Sequence, residues 1–187
     1  MPGFFLELFA RIYSRVFFYP SLLFNYLNRC ETRRWFDRVD NQVVLGALPL
    51  RTFLPDIYNE NIGGVLTMNE SFEIKHTMPT ADEWRARNII QRHLPTVDFF
   101  RAPTQENIQL GIDFINEIGL SGKSVYVHCK AGRGRSTTVV ACYLMDKHGI
   151  TPDEAVMRIR ERRSHIRMCA EQMNAVRTYY RQNIQQN

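Results

Sequence analysis

The segment from His128 to Ser136 places a cysteine, two glycines and an arginine in the order H-C-x-x-G-x-x-R-S. It follows an apolar run that predicts a strand and precedes one that predicts a helix. Backbone N–H groups of such a loop can converge on one point, to which the following helix directs its unpaired amides and the positive end of its dipole. We therefore expect a socket for a phosphate dianion, where Gly132 and Gly134 allow tight curvature because neither has a Cβ.

Cys129 opens this loop and is the candidate nucleophile. The positive field that binds phosphate also favours a thiolate, and in such settings the pKa of a cysteine falls from about 8.5 to ~3.5–7.5. Arg135 can grip two phosphoryl oxygens with its planar guanidinium, and Ser136 can donate a hydrogen bond to the sulfur. We expect His128 to hold the loop through its ring nitrogens rather than to act as a base. The expected substrate-binding residues are Lys130, Ala131, Gly132, Arg133, Gly134 and Arg135.

Thiolate attack on a phosphoester releases an alkoxide or phenolate that needs a proton, which an aspartate on a separate loop can donate. Asp98, in LPTVDFFRAP, is the candidate because it lies between a predicted strand and a predicted helix. We expect Asp113, inside that helix, and Asp82, in a polar stretch, to face solvent instead. Asp98 can then act as a base and activate the water that cleaves the phosphocysteine. This scheme requires no metal ion and no cofactor.

The chain from Asn41 onwards alternates short apolar runs with helical stretches, which is typical of an α/β domain. We predict a central, mostly parallel, twisted sheet flanked by helices. The predicted strands are Gln42–Leu48, Ile62–Met68, Ile89–Leu94 and Lys123–His128. The predicted helices are one that opens at Thr104, Thr137–Lys147, one that starts at a capping box of Thr151 and Glu154, and Glu171–Gln185. The polar stretch from Glu70 to Asn88 predicts a loop.

The amino-terminal segment differs from the rest because it is rich in aromatic residues and leucine. The spacing predicts an amphipathic helix. One face is polar, with Glu7, Arg11 and Arg15 every four residues. The opposite face is apolar and contains Phe4, Phe5, Leu8, Phe9 and Ile12. The longest uncharged run, Val16–Asn28, is shorter than the ~20 residues of a membrane-spanning helix, and Pro20 is expected to break it.

Two arrangements of this segment follow from the pattern. We expect residues 1–40 to form an amphipathic segment that lies in a membrane interface or targets the chain to an organelle, and residues 41–187 to form the catalytic domain. Packing of the segment against its own domain is the alternative.

Composition and charge narrow the class of protein. The 187 residues are 44% hydrophobic and 23% charged, as in an ordinary globular domain. The formal net charge of +5 suits an anionic partner, such as a phosphate ester or an acidic membrane surface. The sequence contains no long run of like charges, so its charge pattern does not indicate a nucleic-acid partner. We expect neither a disulfide framework nor a zinc site, because no CxxC or metal-ligand spacing occurs among the four cysteines, Cys30, Cys129, Cys142 and Cys169.

The loop and its surroundings resemble one enzyme family. His128 to Ser136, with Asp98 ahead of it, matches the signature of the cysteine-dependent phosphatases and resembles their dual-specificity branch. From Phe17 to Tyr180 the chain is similar to the mitochondrial phosphatidylglycerophosphate phosphatases of that branch, through FFYPSLLFNYL, WFDRVDNQVVLGALPLR, GVLTMNESFE, LPTVDF and VYVHCKAGRGRS. One departure is Glu70-Ser71-Phe72-Glu73, where the family often has Glu-Glu-Tyr-Glu in a loop near the active site.

The resemblance implies the cysteine-phosphatase fold and a phosphatase that converts phosphatidylglycerophosphate to phosphatidylglycerol, on the way to cardiolipin. It implies an anionic phospholipid substrate and a peripheral position at the matrix face of the inner mitochondrial membrane. Lys130 and Arg133 give the loop more positive charge than one phosphomonoester requires, which favours a headgroup with a second phosphate.

Other functions remain open at this point. A dual-specificity phosphatase that acts on phosphotyrosine or phosphothreonine in proteins shares the chemistry, and so does a phosphoinositide phosphatase. A module that binds phosphorylated partners without catalysis would lack the nucleophile, the arginine or the acid, and this chain has all three.

Overall fold

The structure is a computed structural model that describes the backbone of residues 2–185 and the side chains of residues 8–185. Within these residues, one five-stranded sheet has the order β1-β2-β5-β3-β4. β2, β5, β3 and β4 run parallel to one another, and β1 runs antiparallel to β2, which confirms the predicted mostly parallel sheet. The strands are β1 (Phe36–Arg38), β2 (Val43–Gly46), β3 (Ile62–Thr67), β4 (Ile90–His93) and β5 (Ser124–His128).

Helices cover both faces of the sheet. One face carries α5 (Gln105–Gly119), α6 (Arg135–His148), α7 (Pro152–Arg162) and α8 (Ala170–Asn183). The other carries α1 (Pro2–Leu27), α2 (Leu54–Tyr58), α3 (Ser71–Ile74) and α4 (Ala81–Arg85). Successive side chains of a strand point to opposite faces, so Val43 and Leu45 lie in the core under the first group of helices and Val44 in the core under the second.

The predicted elements of the catalytic region are present, with shifted ends. Thr104 and Thr151 cap α5 and α7 as the sequence indicates, since their hydroxyl oxygens accept the backbone N–H groups of Asn107 and Glu154. α6 begins at Arg135, before the predicted start at Thr137. The arginine and the serine of the loop therefore lie in the first turn of a helix. β1 was not predicted, because so short a strand leaves no readable alternation.

The prediction of a loop from Glu70 to Asn88 is wrong. This stretch contains α3 and α4, each opened by a capping box. Its buried residues are Glu73, Met78, Pro79 and Trp84, and exposed polar residues lie between them, from Lys75 to His76 and from Asp82 to Glu83. The average composition of the stretch therefore conceals the few positions that hold it against the domain.

The prediction that Pro20 breaks the amino-terminal helix is also wrong, because α1 continues to Leu27. A proline inside a helix costs ~3 kcal/mol. Phe18 and Leu22, on either side of Pro20, are both buried, and each such burial contributes about 1.5–3 kcal/mol. These contacts hold the turns before and after the proline against one surface.

α1 packs on the domain and still leaves most of its apolar residues exposed. Its buried residues recur every four positions: Ala10, Ser14, Phe18 and Leu22. We call its exposed apolar side chains the outer face of α1: Leu8, Phe9, Ile12, Val16, Phe17, Tyr19, Leu23, Phe24 and Leu27. Arg11 and Arg15 are also exposed.

The predicted amphipathic pattern of the amino-terminal helix includes Phe4, Phe5 and Glu7. The side chains of Phe4, Phe5 and Glu7 lie outside the described residues. Across residues 2–185, no helix is both long enough and apolar enough to span a bilayer.

Candidate active site

The candidate site lies at the carboxyl edge of the parallel strands. β5 ends at His128, and loop 129–134 leads directly into α6. The pairing places Thr67 of β3 beside both His128 and His93 of β4, so the three strands end together. Asp98 lies on the chain that leaves β4 at this edge. The fold thus brings the cysteine loop and Asp98 together, as the sequence predicts, where parallel strands commonly carry sites.

The loop is shaped by contacts to its carbonyl groups. Gly132 has a φ of +63°, and a Cβ there would lie 2.3 Å from the carbonyl oxygen of Gly46, so this position requires glycine. Arg163, which follows α7, donates from Nε to the carbonyl oxygen of Gly132 at 2.8 Å and from a terminal nitrogen to that of Ala131 at 3.0 Å. With these carbonyl groups bound on one side, the N–H groups of the loop can converge on an anion.

Arg163 is itself held in place by a buried carboxylate. Its guanidinium lies 2.6 Å from Asp37 of β1, and both side chains are nearly inaccessible to solvent. Neither residue was predicted from the sequence to belong to the site. Asp37 and Arg163 are far apart in the chain, and one arginine among the many near the end of α7 gives no signal.

Cys129 lies under the cleft with its side chain 3% exposed. Burial opposes ionisation of the thiol, but the positive charge of Arg135 and a hydrogen bond from Ser136 Oγ to the sulfur, at 3.3 Å, together lower the pKa of Cys129 below its ordinary value. The predicted hydrogen bond from Ser136 to the sulfur thus has matching geometry. The site favours a thiolate.

Arg135 is fully buried and held by a carboxylate that was not among the predicted site residues. Its two terminal nitrogens bind the two oxygens of Glu73, at 2.7 and 3.0 Å, and one of them also donates to the carbonyl oxygen of Thr96 at 2.8 Å. Burial opposes the charge of Arg135, but Asp98 and Glu73 raise its pKa. The signal available in the sequence was that Glu73 is an acid that matches the last position of the family's Glu-Glu-Tyr-Glu, shortly after a buried strand.

Asp98 lies between two cations. One oxygen is 2.5 Å from Lys130 Nζ and the other is 3.1 Å from a terminal nitrogen of Arg135. Burial opposes ionisation of Asp98, yet Arg135 and Lys130 lower its pKa below the ordinary value. Lys130 Nζ also lies 3.9 Å from the centre of the Phe99 ring. Lys130 is therefore buried in the site rather than directed at bulk water.

His128 is a structural part of the loop. Its side chain is fully buried, its Nε2 shares a hydrogen bond with the hydroxyl of Thr67 at 3.0 Å, and burial lowers its pKa to about 3. The ring is therefore neutral near pH 7. This geometry agrees with the expected role of holding the loop.

A cleft of about 690 Å³ opens above Cys129. The loop forms its floor, and Phe99, Phe100 and Cys169 line its sides. α1 supplies a further wall through Tyr13, Ser21, Phe24 and Asn25. The ring of Tyr13 packs against Phe99 and Phe100, with centroids 5.2 and 5.5 Å apart. The amino-terminal helix therefore borders the cleft directly.

α1 also contacts the segment that holds Arg135. The hydroxyl of Ser14 donates to a carboxylate oxygen of Glu70 at 3.3 Å, and Phe18 packs edge-on against Phe72. The backbone N–H of Glu70 in turn donates to Glu73 at 2.7 Å. Burial, and then the charge of Glu73, raise the pKa of Glu70. A short chain of contacts thus joins α1 to the arginine of the site.

Comparison with known proteins agrees with this geometry. The profile described as "Dual specificity phosphatase, catalytic domain" matches residues 57–182. The human protein named phosphatidylglycerophosphatase and protein-tyrosine phosphatase 1 is 41% identical over 175 residues, which cover 90% of this chain and 87% of that protein. The Arabidopsis thaliana phosphatidylglycerophosphate phosphatase PTPMT2 is 37% identical over 170 residues, 90% of this chain and 73% of that protein.

A solved structure shows the same fold. The crystal structure of PTPMT1 in complex with PI(5)P superposes with a TM-score of 0.76 at 39% identity, over 79% of this chain and 96% of that one. The fold, the loop signature and the relatives agree with one another. The chain therefore belongs to the dual specificity phosphatase family of cysteine-dependent phosphatases, in the group of the phosphatidylglycerophosphatases and protein-tyrosine phosphatases.

Proposed function

We propose that this protein hydrolyses the phosphomonoester of phosphatidylglycerophosphate and releases phosphatidylglycerol, a step towards cardiolipin. The observation that carries the proposal is the assembly of Cys129, Arg135 and Asp98 in one cleft. That assembly supports cysteine-dependent hydrolysis of a phosphomonoester, and the names of the human and Arabidopsis relatives favour this lipid.

The first chemical step transfers the phosphoryl group to the enzyme. The Cys129 thiolate attacks phosphorus, a sulfur–phosphorus bond forms, and the bond from phosphorus to the glycerol oxygen breaks. Arg135 and the N–H groups of the loop bind the non-bridging oxygens. Protonated Asp98 gives its proton to the leaving glycerol oxygen, so that the alcohol departs neutral.

The second step restores the enzyme. The Asp98 carboxylate takes a proton from water, the water oxygen attacks phosphorus, and the sulfur–phosphorus bond breaks to release inorganic phosphate. Ser136 donates its hydrogen bond to the departing sulfur, which leaves as a thiolate. The proton lost by Asp98 in the first step is thereby regained.

Binding of substrate prepares Asp98 for the first step. Before a phosphate binds, Arg135 and Lys130 lower the pKa of Asp98, so its carboxyl group is ionised. A phosphate dianion at Cys129 competes with Asp98 for these two cations and adds negative charge beside the carboxylate. Both effects raise the pKa of Asp98, which lets it carry the proton that the leaving group requires.

We propose that the outer face of α1 lies in a membrane interface, with the protein peripheral to the matrix face of the inner mitochondrial membrane. The exposed side chains of this face are large and apolar, from 42% accessible for Phe17 to 69% for Leu27. An exposed apolar surface on a basic helix suits an interfacial position. Because α1 also borders the cleft, a lipid headgroup at the interface would lie close to Cys129.

The experiment measures phosphate release from phosphatidylglycerophosphate in vesicles, from phosphoinositides and from phosphotyrosyl and phosphothreonyl peptides. We expect the highest kcat/KM for phosphatidylglycerophosphate, and a phosphorylated adduct on Cys129 that acid quenching traps. The Cys129→Ser variant should release no phosphate from any substrate. Retention of turnover by Cys129→Ser would contradict the phosphocysteine scheme.

A pair of variants tests the membrane contact. Leu23→Glu with Leu27→Glu places charge on the outer face of α1, at residues that do not line the cleft. Hydrolysis of vesicle lipid should fall while hydrolysis of a soluble aryl phosphate is kept. Met157→Glu, at an exposed apolar residue of α7 that is 56% accessible, is the matched control. Equal activity of the double variant and the control on vesicles would refute an interfacial α1.

A second function is favoured by one name. The human relative is also named a protein-tyrosine phosphatase, and the same chemistry would serve a phosphoprotein. Preference for the phosphopeptides, together with no effect of the α1 variants, would favour this protein phosphatase function over the lipid function.

A further inference from the structure

The positive charges around the catalytic loop fall into two groups. Those closest to Cys129 are matched by carboxylates: Lys130 by Asp98, and Arg135 by Glu73 and Asp98. Arg163 and Arg34 share Asp37 in the same way. These pairs account for the cations that shape the loop and bind the reacting phosphate.

Three arginines beside the loop have no such match. Among the described residues, no carboxylate forms an ion pair with Arg33, Arg133 or Arg167. Arg133 is half-buried, and its Nε donates to the carbonyl oxygen of His165 at 2.8 Å. The backbone N–H of Arg167 donates to the carbonyl oxygen of Arg133 at 2.8 Å. These contacts hold the Arg133 guanidinium in place and the backbone of Arg167 beside it, and the charges of Arg33 and Arg167 both act on Arg133.

The effect of this cluster is visible at two titratable groups. Burial and then the charges of Arg33, Arg167 and Arg163 lower the pKa of Arg133. Burial and then Arg163, Arg133 and Arg33 lower the pKa of His165 to about 4. Like charges held this close oppose folding, so the cluster is better explained by an anion that it binds than by its contribution to the stability of the protein alone.

The cluster is continuous with the catalytic cleft. Arg133 and Arg167 line the cleft that opens above Cys129. Arg33 and Arg133 line a small adjoining hollow, and Asn25 of α1 borders both spaces. We propose that Arg33, Arg133 and Arg167 form a second anion subsite, which binds the phosphodiester group of a substrate whose phosphomonoester lies at Cys129.

The chemistry of the cluster selects this occupant. Each guanidinium offers a planar fork that fits two phosphoryl oxygens, and an anion bound here would supply the negative charge that the three arginines do not obtain from a carboxylate. The substrate must therefore carry two anionic groups joined by a short linker, and phosphatidylglycerophosphate joins a phosphodiester and a phosphomonoester through one glycerol. This inference rests on the proposed function and adds a determinant of specificity to it.

The test uses two water-soluble substrates that share the same glycerol phosphomonoester. Glycerol 3-phosphate lacks the phosphodiester, whereas the deacylated headgroup, glycerophosphoglycerol phosphate, contains it and has no acyl chains. The measured quantity is the ratio of kcat/KM for the headgroup to kcat/KM for glycerol 3-phosphate. Arg33→Gln and Arg167→Gln should each lower this ratio roughly 10-fold, and the double variant should lower it further, as expected for lost charge-assisted hydrogen bonds.

Arg160→Gln is the matched control, because Arg160 is exposed on α7 and lines neither space. It should leave both kcat/KM values unchanged, and thermal unfolding should show all variants folded. The proposal is overturned if the ratio stays at the wild-type value. It is also overturned if Arg33→Gln and Arg167→Gln lower kcat/KM equally for both substrates, since that result indicates a general effect on the site.

The arms of the experiment separate this inference from the proposed function. If the arginine variants lower the preference for the headgroup over glycerol 3-phosphate but the wild-type protein does not hydrolyse the vesicle lipid, the subsite stands and the lipid function falls. If the arginine variants instead impair only acidic phosphotyrosyl peptides, the subsite serves protein carboxylates and the phosphodiester proposal is wrong.

Discussion

At the scale of single residues, the site is built from side chains of opposite charge held at short range. Burial disfavours the thiolate of Cys129 and the carboxylate of Asp98. The charge of Arg135 opposes that effect for both, together with Ser136 at the sulfur and with Lys130 at the carboxylate. Arg135 can do so because Glu73 fixes its guanidinium and keeps it charged. The reactivity of the sulfur therefore depends on residues that never touch the substrate.

Ser136→Ala should raise the pKa of Cys129. The hydroxyl of Ser136 donates to the sulfur and stabilises the thiolate, so its removal favours the thiol. The rate of alkylation of Cys129 by iodoacetamide, measured against pH, should rise to its plateau at higher pH than in the wild-type protein. A control with Ser121→Ala, in the turn after α5, should keep the wild-type curve. An unshifted curve for Ser136→Ala would show that Arg135 alone sets the ionisation.

Asp98→Asn should lower kcat by roughly 10²–10⁴ for an alkyl phosphate, as expected for a lost general acid. The loss should be much smaller for p-nitrophenyl phosphate, whose leaving group needs no proton. Asp113→Asn, at an exposed carboxylate of α5, serves as the control. The assignment of Asp98 fails if its variant hydrolyses the alkyl phosphate at the wild-type rate.

Residue patterns predict this part of the site well. The spacing from His128 to Ser136 is enough to identify the nucleophile, the arginine and the serine, because consecutive residues of one loop are bound to meet. Asp98 can be found because it follows a strand that ends at the same edge of the sheet. Glu73, Asp37 and Arg163 reach the loop only through tertiary packing, and no local pattern records such contacts.

At the scale of elements, the short helix α3 is the support of the catalytic arginine. Its capping box places Glu73 with one oxygen on the backbone N–H of Glu70 and both oxygens on Arg135. α1 contacts the start of this helix, where Ser14 bonds to Glu70 and Phe18 packs against Phe72. The position of Arg135 thus depends on an element predicted only as a polar loop.

Glu73→Gln should impair catalysis more than binding. The amide cannot offer two negatively charged oxygens, so the guanidinium of Arg135 shifts, and small misplacements of a catalytic group cost about 10²-fold in rate. We expect kcat to fall by roughly this factor with KM little changed, and the free energy of unfolding to fall by about 3 kcal/mol, because a buried ion pair is broken.

The measurements are steady-state kinetics on a soluble aryl phosphate and chemical denaturation, at a temperature where the variant is folded. Glu117→Gln, at an exposed position of α5, should change neither quantity. A folded Glu73→Gln protein with wild-type kcat would show that Thr96 and Asp98 suffice to hold Arg135.

The elements also show why predictions from the local sequence fail where tertiary packing determines the secondary structure. Pro20 lowers the stability of an isolated helix, yet α1 continues because Phe18 and Leu22 are buried on both sides of it. The start of α6 at Arg135 follows from the closure of the loop onto the helix rather than from the apolar run that begins after Ser136. For α1 the decisive contacts come from a distant part of the chain.

At the scale of the whole molecule, a basic surface, an apolar helix and the cleft lie together. The net charge is +5, and the outer face of α1 adjoins the cleft. Three arginines without a carboxylate partner among the described residues border the cleft or the adjoining hollow. Fold class was predictable from the alternation of strands and helices. The joint placement of α1 and the arginines was not, because it depends on how α1 docks, and the division of the chain at residue 40 stays a prediction.

Binding of the protein to vesicles should depend on both charge and apolar contact. With anionic phospholipid in the vesicles, the bound fraction in a sedimentation assay should fall as salt rises from ~0.1 to ~1 M, since the screening length drops from about 10 to 3 Å. Vesicles of neutral lipid should bind less protein and show little salt dependence. Equal binding to both kinds of vesicle at low salt would contradict a contribution from the basic surface.

The ion pairs of Asp98 also make the cleft selective by valence. Before substrate arrives, this carboxylate already serves as the counter-anion of Lys130 and Arg135. A chloride ion that displaced the Asp98 carboxylate from these cations would replace one negative charge with one. A phosphate or vanadate dianion would replace it with two. Salts of monovalent anions should therefore inhibit the enzyme weakly and divalent oxyanions strongly. Chloride would then leave the cleft of the resting enzyme free for substrate.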